Sequence, residues 1–255
     1  MYQSTNNPDL ESGGQYSHTQ FGQQQKEMIT GLSPINVRHG FIRKVYGILF
    51  MQLLITCAIA APFVLMDQTV IQPWITSNIW LLWISLAVSF AAMIIFACFP
   101  SLMRSYPLNY CILLLFTCAE GLFIGIISSQ YTVQSVVIAL VTVTAIALAL
   151  SLFAFQTKID FTGLGPYLMV GCLVLLIFGF VLIFFPGNSI AQKVYCGIGA
   201  LLFSLYLVYD TQLIVGGNHR KNQFSVDDYA VAAICLYIDI IQLFLYMLSL
   251  FGNRR

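Results

Sequence analysis

Apolar residues along this chain gather into seven long runs separated by short polar breaks. The runs cover roughly 44–66, 78–99, 107–128, 132–155, 165–185, 193–215 and 228–250. Each approaches the ~20 residues that a helix rising 1.5 Å per residue needs to cross ~30 Å of hydrocarbon, so the pattern predicts seven transmembrane helices. The breaks fall at Asp67 to Ser77 with Pro73, Pro100 to Tyr106, Ser128 to Tyr131, Gln156 to Gly165, Pro186 to Gln192 and Gly216 to Asp227, all carrying turn residues. Pro107 and Pro166 suit first-turn positions, and Gly216 with Gly217 suits a helix stop. Residues 1–36 contain no such run. They are rich in Gln, Ser, Asn, Gly and Tyr, as in QFGQQQ at 20–25, with too few aliphatic side chains to offset the entropy of ordering. A disordered polar tail over 1–36 ahead of a seven-helix domain over 37–255 is the expected organisation.

Composition sharpens this picture. The 255 residues are 59% hydrophobic and 8% charged, against roughly a quarter charged in a soluble domain, which excludes a soluble globule. The net charge is +1, and no basic face offers the phosphate-neutralising surface that nucleic acid demands. The seven cysteines all fall inside apolar runs without metal-type spacing and read as small buried packing residues. The tail has neither a basic n-region nor a small-residue cleavage site, so the first spanning helix is expected to direct insertion itself.

Basic residues of short loops stay on the cytoplasmic side. Lys26, Arg38, Arg43, Lys44, Arg104, Lys158, Arg220 and Lys221 share one side, while Lys193, Arg254 and Arg255 fall opposite if all seven runs span. The N-terminus is therefore expected in the cytoplasm. The Arg254-Arg255 pair leaves open a re-entrant last segment. Gly121-x-x-x-Gly125 in the third run predicts close approach of another helix, within the chain or between copies.

Three of the ten acidic residues lie inside the apolar runs: Glu120 in FTCAEGLFIG, Asp210 in LYLVYDTQLI and Asp239 in CLYIDIIQLF. An ionisable group near the bilayer centre costs about 2.5–3.5 kcal/mol on insertion scales and usually faces a polar interior. Apart from Lys44 and Lys193, the first residues of their runs, no Lys, Arg or His shares the runs with them. The acids must then share protons, hydrogen-bond to nearby hydroxyl or backbone groups, or hold a cation. The sixth and seventh runs are joined by about a dozen residues and must be antiparallel, which places Asp210 and Asp239 at depths differing by only ~8 Å. A paired-aspartate site is expected, titrating as a unit. Protonated, it would join two helices; deprotonated, it would repel and open, or capture a divalent cation with hard oxygen ligands. Tyr209-Asp210 also fits half of an intramembrane aspartyl-protease signature, but Asp239 follows Leu236, Tyr237 and Ile238 rather than Gly-x-Gly. His18, His39 and His219 lie in the tail or loops and read as solvated.

The segments FIRKVYGILFMQLLIT at 41–56, YPLNYCILLLFTCAEG at 106–121, LYLVYDTQ at 205–212 and YAVAAICLYIDIIQLFLYML at 229–248 resemble the transmembrane Bax-inhibitor-motif family, nearest its Lifeguard and Golgi anti-apoptotic branch. The resemblance covers nearly everything after residue 37. It implies an all-α integral membrane fold whose last helix is central, and a Ca²⁺ leak channel of endoplasmic reticulum, Golgi or plasma membrane, pH-sensitive through an aspartate pair. That pair corresponds to Asp210 and Asp239, and the family's third-helix glutamate to Glu120. The arginine that a bacterial relative carries on its second helix has no counterpart in residues 78–99.

The function this predicts is a pH-sensitive Ca²⁺ leak of an endomembrane, Golgi or endoplasmic reticulum, that lowers stored Ca²⁺ and suppresses cell death. Asp210 and Asp239 would act as sensor and Glu120 would line or support the pathway. The alternatives are a proton-coupled Ca²⁺ exchanger using the same acids and a non-conducting regulator that binds cell-death or Ca²⁺-release proteins. The expected partners are membrane lipid, Ca²⁺ and H⁺. Neither catalysis nor a cofactor beyond the transported ion is expected. A seven-helix ligand receptor lacks support, because no Asp-Arg-Tyr-like step or long cytoplasmic loop is present.

Overall fold

A computed structural model describes residues 35–185, 189–217 and 220–255. It divides into two units, Met1–Phe41 and Ile42–Arg255, and of the first only the helical residues from Ile35 are described. The expected polar tail therefore lies outside the described residues except for Ile35 and Asn36. His18 and His219 lie outside them too, and His39 is exposed on the first helix.

The described residues form nine α-helices: α1 (Ile35–Leu65), α2 (Gln68–Ser77), α3 (Trp80–Cys98), α4 (Pro100–Arg104), α5 (Leu108–Ser128), α6 (Val133–Gln156), α7 (Gly165–Ile183), α8 (Ser189–Val215) and α9 (Tyr229–Phe251), the last preceded by a 3₁₀ turn at Val226–Asp228. Six of them are long and apolar enough to cross a membrane, and α2 with α3, bent by 67° at their junction, brings the number to seven when the bent pair is counted as one span. The chain is an all-α integral membrane protein. Burial ranks the spans: 56% of the core window of the last one is buried inside the protein, against 11% for α6 and for α7. The last helix is accordingly the core of the bundle, and large side chains of α7 such as Val170, Val174 and Ile177 point outward, as lipid-facing residues do.

Turn chemistry sets most boundaries where the sequence put them. Gly216 closes α8 in the left-handed region at φ 62°, its N–H bonded to Gln212 O at 2.9 Å, a conformation that glycine adopts without a Cβ penalty. Pro166 occupies the first turn of α7, whereas Pro107 sits one step outside α5 as its N-cap. Three expectations need correction, the first at the break over 100–106, which holds the short helix α4 (Pro100–Arg104). The break at 67–77 is a helix, because Ile71 and Ile75 lie one turn apart and bury together against Phe63 and Ile126; that apolar stripe outweighs the lost donor of Pro73. The cysteines are not uniformly buried: Cys57, Cys98 and Cys111 are exposed and only Cys196 is buried, because an outward face in a membrane is as apolar as the core.

The two ends of the bundle are tied differently. At one, Arg104 Nε donates to Asp228 Oδ1 at 2.7 Å, and the Lys44 ammonium lies 3.2 Å from the Tyr229 ring centroid. At the other, the residues after α9 dock onto the α5–α6 turn: Asn253 O accepts from Thr132 N at 3.0 Å and Arg255 N donates to Gln130 O at 2.9 Å. Arg255 also reaches Val64 O at 3.1 Å. The ends of α1 and α5 and the chain terminus thus meet, so the last helix runs from one end of the bundle to the other.

Candidate functional site

Asp210 lies about five residues from the end of α8, and Asp239 about ten from the start of the antiparallel α9. That leaves a Cα depth difference of ~8 Å at 1.5 Å per residue. Helix side chains lean toward their own N-terminus. In antiparallel neighbours this tilts Asp210 inward and Asp239 outward, and the gap closes. The carboxyls reach hydrogen-bonding contact, each acting directly on the other. Both are buried, Asp210 at 6% and Asp239 at 3% exposure, and Asp239 Oδ2 has no hydrogen-bond partner among the described residues. Tyr206, Tyr209, Cys172 and Cys235 surround the pair within electrostatic reach. Among the described residues no Lys, Arg or His acts on either carboxyl, so the only compensation on hand for a carboxylate charge is a proton on its neighbour.

Polar loops pack over the nearby end of α8. Gln212, fully buried one turn from Gly216, accepts from Phe161 N at 2.8 Å and donates to Ile159 O at 3.0 Å. Asp160 accepts from Thr162 Oγ1 at 2.6 Å, Thr162 N at 2.9 Å and Lys221 N at 3.0 Å. The Thr162 hydroxyl first, then these amides and the Arg220 charge, hold the Asp160 carboxyl below the usual range against slight desolvation. Arg220 donates to Ile159 O, to Thr157 O at 2.9 Å and to Ala154 O at 3.4 Å, capping the carbonyl end of α6, where a cation is favoured.

Glu120 is not in this chamber. It faces Ser89 of α3 and acts on Tyr237 of α9, and Tyr237 is two residues from Asp239, about 200° around the helix. Here Tyr237 Oη meets Thr56 Oγ1 at 2.7 Å, Thr56 Oγ1 donates to Gln52 O at 2.8 Å, Gln52 Nε2 donates to Thr117 Oγ1 at 3.1 Å and Thr117 Oγ1 donates to Leu113 O at 2.8 Å. The Gly121-x-x-x-Gly125 face makes room for this seam: a Cβ on Gly121 would meet Ile59 at 3.1 Å, and one on Gly125 would meet Phe63 Cδ2 at 2.8 Å and the Ala60 backbone at 3.1 Å. The small-residue motif thus serves packing within the chain.

Sequence reasoning missed Gln52, Thr56, Ser89 and Tyr237. A signal existed: Gln52 and Thr56 are spaced i, i+4, and Thr117 and Glu120 i, i+3, so each pair shares a helix face. Among the described residues no three His, Cys, Asp or Glu side chains converge as a metal site. Two carboxyls supply at most four oxygens, fewer than the six to eight that a Ca²⁺ ion takes, so any ion passing there keeps water or backbone ligands.

Residues 38–255 match the family model described as Inhibitor of apoptosis-promoting Bax1. Among curated proteins, the chain is 38% identical to Protein lifeguard 3 of Homo sapiens over 222 residues, 86% of this chain and 70% of that protein. It is 36% identical to the Mus musculus Protein lifeguard 3 over 221 residues, with the same shares. Against Protein LIFEGUARD 4 of Arabidopsis thaliana it is 33% identical over 225 residues, 87% of this chain and 88% of that one.

Proposed function

This chain belongs to the family described as Inhibitor of apoptosis-promoting Bax1, and from that premise we propose that it is a pH-sensitive Ca²⁺ leak of an endomembrane that lowers stored Ca²⁺ and restrains cell death. The observation that carries this reading is the buried contact between Asp210 and Asp239, without a basic neighbour among the described residues. With one proton shared, the pair clasps α8 to α9. Once that proton leaves, two like charges at hydrogen-bonding distance in a low dielectric repel, and the helix pair opens. The opened carboxylates then present hard oxygens to Ca²⁺. Loss of protons drives opening, so the flux rises with pH. The basic residues Lys44, Arg104 and Arg220 make their contacts at the end nearer the pair, with Arg43, Lys158 and Lys221 beside them in sequence, which supports a cytoplasmic location for that end.

Ca²⁺ efflux from proteoliposomes of pure lipid, followed with an entrapped dye at an acidic and an alkaline pH, tests the proposal. The wild type should leak faster at alkaline pH, and Asp210→Asn and Asp239→Asn should leak at a pH-independent rate. Unchanged pH dependence in both variants would reject the latch, and an inert wild type would favour a non-conducting regulator. The shared proton also favours a second reading, coupled H⁺/Ca²⁺ exchange. It requires proton counterflow in fixed ratio to Ca²⁺, which a pH dye in the same vesicles reads.

A further inference from the structure

The seam on the opposite face of α9 has a hydrogen-bond inventory that points to a ligand. Every hydroxyl proton in its chain is assigned. Thr117 Oγ1 gives its proton to Leu113 O and Thr56 Oγ1 gives its own to Gln52 O, so the short contact between Tyr237 and Thr56 must use the proton of Tyr237. The Gln52 amide has turned its NH₂ toward Thr117. What remains on offer is almost all acceptor: Gln52 Oε1, which is buried and has no hydrogen-bond partner among the described residues, the spare lone pairs of Tyr237 Oη, and the Glu120 carboxyl. Ser89 adds a hydroxyl of the same kind; it is 6% exposed, faces Glu120 from α3, and closes no hydrogen bond of ordinary geometry. Gln52, at 4% exposure, lies on α1 one turn from Thr56, and Thr117 lies one turn from Glu120 on α5. The acceptors therefore come from four helices.

A seam whose open atoms are mostly acceptors, with only the Ser89 hydroxyl proton and the second Gln52 amide proton left to give, favours a positive charge. The Born cost of burial sets which one, because an uncompensated unit charge in a low dielectric costs several kcal/mol even after relaxation. One carboxylate among neutral oxygens balances one positive charge, whereas a divalent ion would leave a net charge of +1. The other titratable groups around the seam are Tyr237, Cys57 and Cys118, none of which can be cationic. We propose that Glu120, Gln52 Oε1, Ser89 Oγ and Tyr237 Oη form a monovalent-cation site of the Na⁺ or K⁺ class, separate from the aspartate pair. The site uses hard oxygens on α1, α3, α5 and α9, so its occupant would draw the bundle together across α9. It does not depend on the proposed Ca²⁺ leak, and its test has a readout that the leak does not enter.

Radiolabelled Na⁺ or K⁺ is equilibrated with the purified full-length protein in detergent, and bound label is counted against unlabelled Na⁺, K⁺ and Ca²⁺. Saturable binding of at least one monovalent ion is expected, with Ca²⁺ a poor competitor. Glu120→Gln should weaken binding by about tenfold or more, the loss of one charge-assisted partner. Ser89→Ala and Gln52→Leu should weaken it less, and Asp239→Asn should leave it intact. Ser89→Ala removes one atom and keeps the test open should Glu120→Gln fail to fold. Absence of saturable monovalent binding, as when Glu120 simply carries its own proton, would overturn the proposal. So would Ca²⁺ outcompeting Na⁺ and K⁺, or unchanged binding in both Glu120→Gln and Ser89→Ala.

Discussion

The two polar faces of α9 lie about half a turn apart and solve the problem of buried polarity in opposite ways. On the Asp239 face a carboxyl meets another carboxyl from the neighbouring antiparallel helix, an arrangement whose sign of interaction depends on one proton. On the Tyr237 face the hydrogen-bonded chain is of neutral hydroxyls and an amide linked to backbone carbonyls, whose bonds do not change sign with pH. The one carboxyl acting there, Glu120, stands outside that chain. In the proposed latch the first face switches and the second holds. A helix rigid on one side and conditional on the other can move one neighbour while keeping the rest.

The largest effect should follow from making the switching face behave like the holding one. Asp210→Asn replaces a charge that can appear with an amide that cannot, so the pH dependence of Ca²⁺ efflux should vanish. Tyr237→Phe should leave it in place, and a loss in both variants would erase the distinction between the faces. Next in size is the support of the holding face. Gly125→Ala drives a Cβ to 2.8 Å from Phe63 Cδ2 and should cost about 1–3 kcal/mol by overpacking, seen as a lower melting temperature in detergent. Gly197→Ala, which meets nothing within 4 Å, should change little. Tyr237→Phe removes one hydrogen bond and should cost about 1 kcal/mol in the same measurement.

The smallest effect concerns the loops near the switching face. The proton affinity of Asp160 is lowered by Thr162, the Lys221 amide and Arg220. Its contribution is therefore present above its ordinary value near 3.8 and is lost as the pH falls through the still lower folded value. Hydrogen exchange over residues 157–164 should speed up under strong acid in the wild type. Asp160→Asn should show the faster exchange already at neutral pH.

Much of this architecture is legible in the sequence, because length and hydropathy report a membrane span directly. The runs read at 107–128 and 132–155 fold as Leu108–Ser128 and Val133–Gln156. The first helix begins earlier than its apolar run, at Ile35, because Arg38, Arg43 and Lys44 end a hydrophobic pattern without ending a helix that extends beyond the hydrocarbon. Helix α2 is hidden by Pro73 and by its brevity. The aspartate pair could be anticipated, since a short connection forces two neighbouring helices antiparallel and the depths then follow by counting. The seam around Glu120 could not. Its members come from helices distant in sequence, each looks like an ordinary polar residue in an apolar run, and only packing across α1, α3, α5 and α9 brings them together.

The central claim is that Asp210 and Asp239 hold one proton between them and part when it leaves. Infrared difference spectroscopy on the reconstituted protein, titrated from acid to alkali, reads that proton through the carboxylic C=O stretch. The account predicts a band that bleaches over the same pH range in which Ca²⁺ efflux rises, and that is altered by Asp210→Asn and by Asp239→Asn but not by Glu120→Gln. A band untouched by either aspartate substitution, or one that bleaches without any change in efflux, would contradict it.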